Sequence, residues 1–184
     1  MALTPSNMLP LGTLAPEFKL YDTEGNLVGL DYFPEAKGYL VMFICNHCPY
    51  VIHLKESLAK LTCEYLKKGI AIFGINSNDY LNYSDDSPDK MRADTKKFHY
   101  NFPYLIDETQ EIAKAYQAAC TPDFFLFDQN KKLVYRGQYD SSRPKNGFPI
   151  TGNDLKRALD AVLTHSMISP EQIPSIGCNI KWKD

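Results

Sequence analysis

The sequence predicts an α/β fold built on one mixed sheet with helices on both faces. Three observations lead there. Two continuous apolar runs, GYLVMFI at residues 38–44 and IAIFGI at 70–75, read as strands buried on both faces. Between them Leu54, Leu58, Leu61 and Tyr65 recur at helical spacing, so the pair forms a βαβ unit with parallel strands. Later, DFFLFD and LVYRGQ flank the turn QNKK, which reads as an antiparallel hairpin added to the same sheet.

The remaining elements follow in order. FKLYDTEGNLVGL is a hairpin around Glu24-Gly25-Asn26. The first helix starts from Pro49 and stops at Gly69. The stretch NSNDYLNYSDD reads as a polar loop. Ser87-Pro88 then opens a helix with Met91, Thr95 and Phe98 on one face. FPYLID is extended and ETQEIAKAYQAA helical. Residues 140–151 form a polar loop, and Asn153 or Asp154 opens a last helix carrying Leu155, Leu159 and Val162. The tail SPEQIPSIGCNIKWK shows no clear period.

Composition narrows the function. The 184 residues are expected to form a single domain, 1–184. A formal net charge of −2 shows no basic excess, so nucleic acid is not an expected partner. No apolar run approaches the ~18 residues of a membrane span. The start MALTPSNMLPLGTLAPEF has neither a basic nor a continuous apolar signal region, so a cytoplasmic location is expected.

Chemistry concentrates in Cys45-Asn46-His47-Cys48. Of five cysteines, only Cys45 and Cys48 have motif spacing, and an odd, sparse count does not read as a disulfide framework. The pair falls where a buried strand gives way to a helix. Helix N-termini present free amide donors that stabilise thiolates. The reading is a dithiol–disulfide switch in which Cys45, partly exposed and nearest the donors, has the lower pKa and attacks, while Cys48 is covered and resolves. His47 is a pKa modulator. Far along the chain, Cys120-Thr121-Pro122 precedes DFFLFD, where a cis peptide would leave the backbone of Thr121 open to an extended peptide.

The pieces LAPEFKLYDTEGN, KGYLVMFICNHCPYV, TPDFFLFD, YRGQYDSSRP and IGCNIKWK resemble the thioredoxin superfamily. More narrowly, the chain is similar to the alkyl hydroperoxide reductase/thiol-specific antioxidant, peroxiredoxin-related family. The resemblance implies a thioredoxin-like fold with an N-terminal β-hairpin extension and a cis Thr121–Pro122 bond beside the dithiol. It implies a thiol–disulfide oxidoreductase that needs no cofactor, acting on a disulfide-bearing protein or small molecule and recharged by an external thiol reductant. Ile44 and Asn46-His47 stand where thioredoxin has Trp and Gly-Pro. Against the peroxiredoxin pattern, Cys48 aligns with the peroxide-reacting cysteine and is followed by Pro49, but Cys45 replaces the threonine and Val41 the proline. That alternative, a thiol peroxidase with Cys48 peroxidatic, would place Arg136, or more weakly Arg143, by the thiolate.

A second alternative is a metal-binding module with Cys45, His47, Cys48 and His53 as ligands. His99 and His165 read as surface residues, and Cys63 as functionless. Cys120 either faces the site or packs beside it. Cys178 is either a third redox thiol or a packed tail residue.

Overall fold

A computed structural model describes residues 3–183. The large sheet has seven strands. In chain order they are β2 (Lys19–Asp22), β3 (Leu27–Gly29), β4 (Gly38–Phe43), β5 (Ile70–Asn76), β6 (Tyr104–Ile106), β8 (Asp123–Asp128) and β9 (Leu133–Tyr135). Across the sheet the order is β3-β2-β6-β5-β4-β8-β9. β4, β5 and β6 are parallel, β8 and β9 antiparallel, and the β2–β3 hairpin extends the sheet beyond β6. The hairpin turns because Asp22 Oδ1 accepts from the Glu24 and Asn26 amides at 2.9 and 2.8 Å.

Helices α1 (Pro49–Lys67), α2 (Pro88–Phe98) and α4 (Asn153–Thr164) cover one face, where Leu54, Leu58, Met91, Leu155 and Leu159 are buried. Helix α3 (Glu111–Ala115) and the segment before β2 cover the other, around Phe43, Phe73, Tyr116 and Phe125. All six residues of β4 are buried, as its continuous apolar run predicts. The N-terminal hairpin and mixed sheet match the expected fold class.

Three expectations change. The helix of residues 108–119 shrinks to α3, because Gln110 and Gln117 adopt left-handed backbone at its two ends. The polar stretch 76–86 is only partly solvated: residues 81–85 are exposed, but Asn76, Ser77, Asn78, Asp79 and Asp86 are buried. The tail forms β10 (Ile176–Asn179), which sits between β1 (Leu3–Pro5) and β7 (Cys120–Thr121) in a separate three-stranded sheet. With only two residues paired to β7, that strand is too short to leave an alternating signal.

Candidate active site

The carboxyl end of β4 delivers the dithiol. Pro49 is the first residue of α1, and Cys48, with extended backbone, is its N-cap. Between the cysteines, Asn46 is held by all four of its polar groups. Its N–H donates to Asp86 Oδ1 at 2.7 Å, and its carbonyl accepts from Lys55 Nζ at 2.9 Å. Its side chain donates to Asp85 O at 2.9 Å and accepts from the Tyr104 hydroxyl at 3.1 Å. The turn carrying both thiols is therefore rigidly mounted on α1, β6 and the 76–86 segment.

Thr121 bridges the two sulfurs from the other side. Its hydroxyl lies 3.3 Å from Cys45 Sγ, and its carbonyl accepts from Cys48 Sγ at 3.1 Å. The Thr121–Pro122 peptide is cis. The Thr121 backbone is not open to an incoming peptide, however: β10 pairs with it, Cys178 opposite Thr121.

His47 Nδ1 and Asp86 Oδ2 are 2.7 Å apart, and the ring stacks on Tyr83. The Asp86 bond raises the His47 pKa against the opposing effect of burial. Burial also works against the Asp86 anion, yet bonds from His47, Asn78 and the Asn46 N–H hold its carboxyl below the usual range. A histidine–carboxylate pair, with His47 held toward its protonated form, thus lies beside the dithiol.

The two thiols are unequal, in the order opposite to that expected. Both are buried, Cys45 at 1% and Cys48 at 0% exposure, so neither is the partly exposed one. Burial pushes Cys45 well above its ordinary pKa, helped by its bond to Cys48 and by the Asp86 charge. Cys48 is lowered to about 5, first by the Cys45 thiol and then, against burial, by the Cys178 thiol, the Val51 N–H and the Cys178 N–H. The chief physical reason is that Cys48 is the sulfur with a thiol on either side, Cys45 and Cys178; the helix start adds a smaller share. Cys48, not Cys45, occupies the cap position where the first-turn amides point.

Of the residues expected at the site, Cys45, Cys48, His47, Thr121, Pro122 and Cys178 come together. Cys120, also buried, neighbours Cys178 through the β7–β10 pairing and is held far above its ordinary pKa by burial. Arg136 does not join them. Its guanidinium donates to Leu9 O and Gln172 Oε1 at 2.9 and 2.8 Å. Arg143 is bound to Asp140 O, Ser142 O and Gln138. His53 faces Ser142 at 2.7 Å. The ligand-capable cluster among the described residues is instead Cys45, His47 and Asp86, with donor atoms within 4.8 Å of one another. Sequence reasoning missed Asp86, Lys55 and Tyr104, each brought in from another element.

A family model described as Redoxin matches residues 10–155. A thiol-disulfide oxidoreductase ResA of Geobacillus thermodenitrificans is 27% identical over 133 residues, covering 71% of this chain and 70% of that protein. The crystal structure of an uncharacterized conserved protein from Geobacillus kaustophilus superposes with a TM-score of 0.96 at 50% identity, over 100% of this chain and 97% of the other. The fold, which is thioredoxin-like, also appears in a putative thiol:disulfide interchange protein DsbE from Chlorobium tepidum. That structure has a TM-score of 0.65 at 19% identity and covers 84% of this chain and 99% of its own.

Proposed function

The chain belongs to the Redoxin family, and from that premise we propose that it is a thiol–disulfide oxidoreductase whose working dithiol is Cys45 and Cys48. The observation that carries this reading is the joint placement of the two free thiols, both within hydrogen-bond reach of Thr121 at a strand–helix junction. The names of its relatives support the activity class.

The acidic Cys48 thiolate attacks one sulfur of a substrate disulfide. That bond breaks, a mixed disulfide forms, and the departing thiolate takes a proton. Cys45 then attacks Cys48 Sγ, releasing the second substrate thiol and leaving a Cys45–Cys48 disulfide. Two electrons pass from the dithiol to the substrate, and an external thiol reductant restores the reduced protein. No cofactor enters the exchange. A stabilised thiolate favours the reduced form, which makes the couple oxidising. The substrate is a disulfide-bearing protein or small molecule, and the setting belonging to this proposal is the cytoplasm of a cell.

The test is turnover of oxidised glutathione by wild type, Cys45→Ser and Cys48→Ser with a thiol reductant present. Wild type is expected to turn over through a Cys45–Cys48 disulfide, and both variants to lose at least tenfold. Full turnover in both variants would overturn the reading. The acidity of Cys48 at a helix cap favours one second reading, reduction of peroxide through a sulfenic acid at Cys48. Rapid hydrogen peroxide consumption that survives Cys45→Ser would replace the first reading with it.

A further inference from the structure

Cys178 is buried in the same side-chain cluster as Cys45 and Cys48. Its place follows from β10. In register it stands opposite Thr121, the residue that receives both dithiol sulfurs. The preceding residue is Gly177, where a Cβ would sit 1.9 Å from Thr121 O. Only glycine lets β10 lie directly on that backbone. The tail is pinned on either side of this contact. Ser175 Oγ donates to Pro122 O at 2.7 Å, Ile180 N to Ala119 O at 3.2 Å, and Lys181 N to Asn78 Oδ1 at 2.8 Å. The chain's own strand therefore occupies the edge an extended peptide would use. It carries a cysteine against Cys48, whose anion its thiol and N–H both stabilise.

We propose that Cys178 is a second partner thiol of Cys48, presented by β10 as an internal substrate, so that the protein exchanges a Cys45–Cys48 disulfide for a Cys48–Cys178 disulfide. This rests on the dithiol reading above. In the step, Cys178 sulfur attacks Cys48 Sγ, the Cys45–Cys48 bond breaks, and the Cys48–Cys178 bond forms. The Cys178 proton passes to the departing Cys45 sulfur. One disulfide is lost and one gained, so no oxidant is consumed. The exchange moves the oxidised bond onto the tail and returns Cys45 as a free thiol. In a mixed disulfide at Cys48, Cys178 stands ready to resolve it in place of Cys45.

The full chain, reduced and then treated with stoichiometric diamide, which takes up two electrons and two protons, tests this by mass-spectrometric disulfide mapping. In Cys45→Ser, more than half of Cys48 is expected to be linked to Cys178. In Cys178→Ser, Cys48 is expected to be linked to Cys45. Absence of the Cys48–Cys178 link in Cys45→Ser, with Cys45–Cys48 still formed in Cys178→Ser, overturns this inference and leaves the dithiol reading standing. Failure of Cys45–Cys48 to form in Cys178→Ser overturns the dithiol reading and, with it, the exchange proposed here. Far-UV circular dichroism checks folding, and Cys45→Ala repeats the measurement if serine disturbs it. Should both Cys45 variants fail to fold, acid-trapped wild type decides: a Cys48–Cys178 peptide supports the proposal and its absence overturns it.

Discussion

Replacing Cys48 by serine should remove a pH dependence of stability that the reduced wild type carries. Cys48 is lowered to about 5 in the folded protein, chiefly by the Cys45 thiol, whereas an unfolded cysteine ionises near ~8.5. A depressed folded pKa contributes stability that is fully present above the unfolded value and is lost as pH falls through the folded one. The window is therefore about pH 5 to 8.5. At ~1.36 kcal/mol for each unit, the full span is on the order of 5 kcal/mol. One contact opposes it: Thr121 O, 3.1 Å from Cys48 Sγ, accepts from the protonated thiol and repels the anion. Four neighbouring groups, the Cys45 and Cys178 thiols and the Val51 and Cys178 amides, act the other way, so the direction holds. The raised pKa of Cys45 does not interfere, since its effect begins only above the unfolded value.

The assay is urea unfolding under a phosphine reductant from pH 4.5 to 9 for wild type and Cys48→Ser. Only the difference is read, which cancels groups common to both. It should be constant below pH 5 and then move in favour of wild type by several kcal/mol up to about pH 8.5. Thiolate absorbance at 240 nm should show one step near pH 5. Alkylation is the poorer probe here, because both sulfurs are buried and a rate would report opening as well as ionisation. A flat difference, with the absorbance step near 8.5, would refute the assignment of the thiolate to Cys48.

Asp86→Asn removes the charge that raises His47 and helps hold Cys45 protonated; His47 should titrate closer to the ordinary ~6.5 by NMR, and no change in its midpoint would contradict the pairing. His47→Ala withdraws an imidazolium from the Cys48 thiolate, so equilibration with glutathione should give a potential more negative by tens of millivolts, about 30 mV for each ~1.4 kcal/mol. Asp123, fully buried with Oδ1 unpartnered, is pushed up to about 7 by burial; stability tied to it is present below the ordinary ~3.9 and lost as pH rises through 7. Asp123→Asn should therefore raise the melting temperature at pH 8 and leave it nearly unchanged at pH 4, and equal shifts at both would count against an ionisable, strained carboxyl. Gly177→Ala drives a methyl into Thr121 O; a loss of ~1–3 kcal/mol is expected from the overpacking, together with faster alkylation of Cys48, and a neutral result would place β10 elsewhere.

The sheet was legible because its strands announce themselves. The β4 and β5 runs are apolar on both faces, and the β2–β3 hairpin is marked by its turn residues. The dithiol was legible from spacing alone. What surrounds it was not, because those contacts are made across the fold. Asp86 reaches the Asn46 N–H over 40 positions in sequence and Lys55 reaches its carbonyl from the next helical turns. Nothing in NSNDYLNYSDD distinguishes a solvated polar loop from one whose carboxylate is buried and fully bonded.

The roles of the two thiols were a different case, since the deciding signal was present. Proline is favoured at the first helical position, where its missing N–H costs nothing. Pro49 therefore marks Cys48 as the N-cap and leaves Cys45 three residues outside the helix. With the helix starting at Pro49, assigning the amide donors to Cys45 puts them at the wrong sulfur. The onset of the helix decides which cysteine receives the first-turn amide share of the stabilisation, because those donors are confined to the first turn. In this protein that onset also places the acidic sulfur within reach of β10. A thiolate at Cys45 would face Thr121 Oγ1 and the Asp86 charge, whereas at Cys48 it faces Cys45 on one side and Cys178 on the other. Which thiol is ionised thus follows first from the neighbouring thiols of Cys45 and Cys178, with the helix start set by Pro49 adding the Val51 amide.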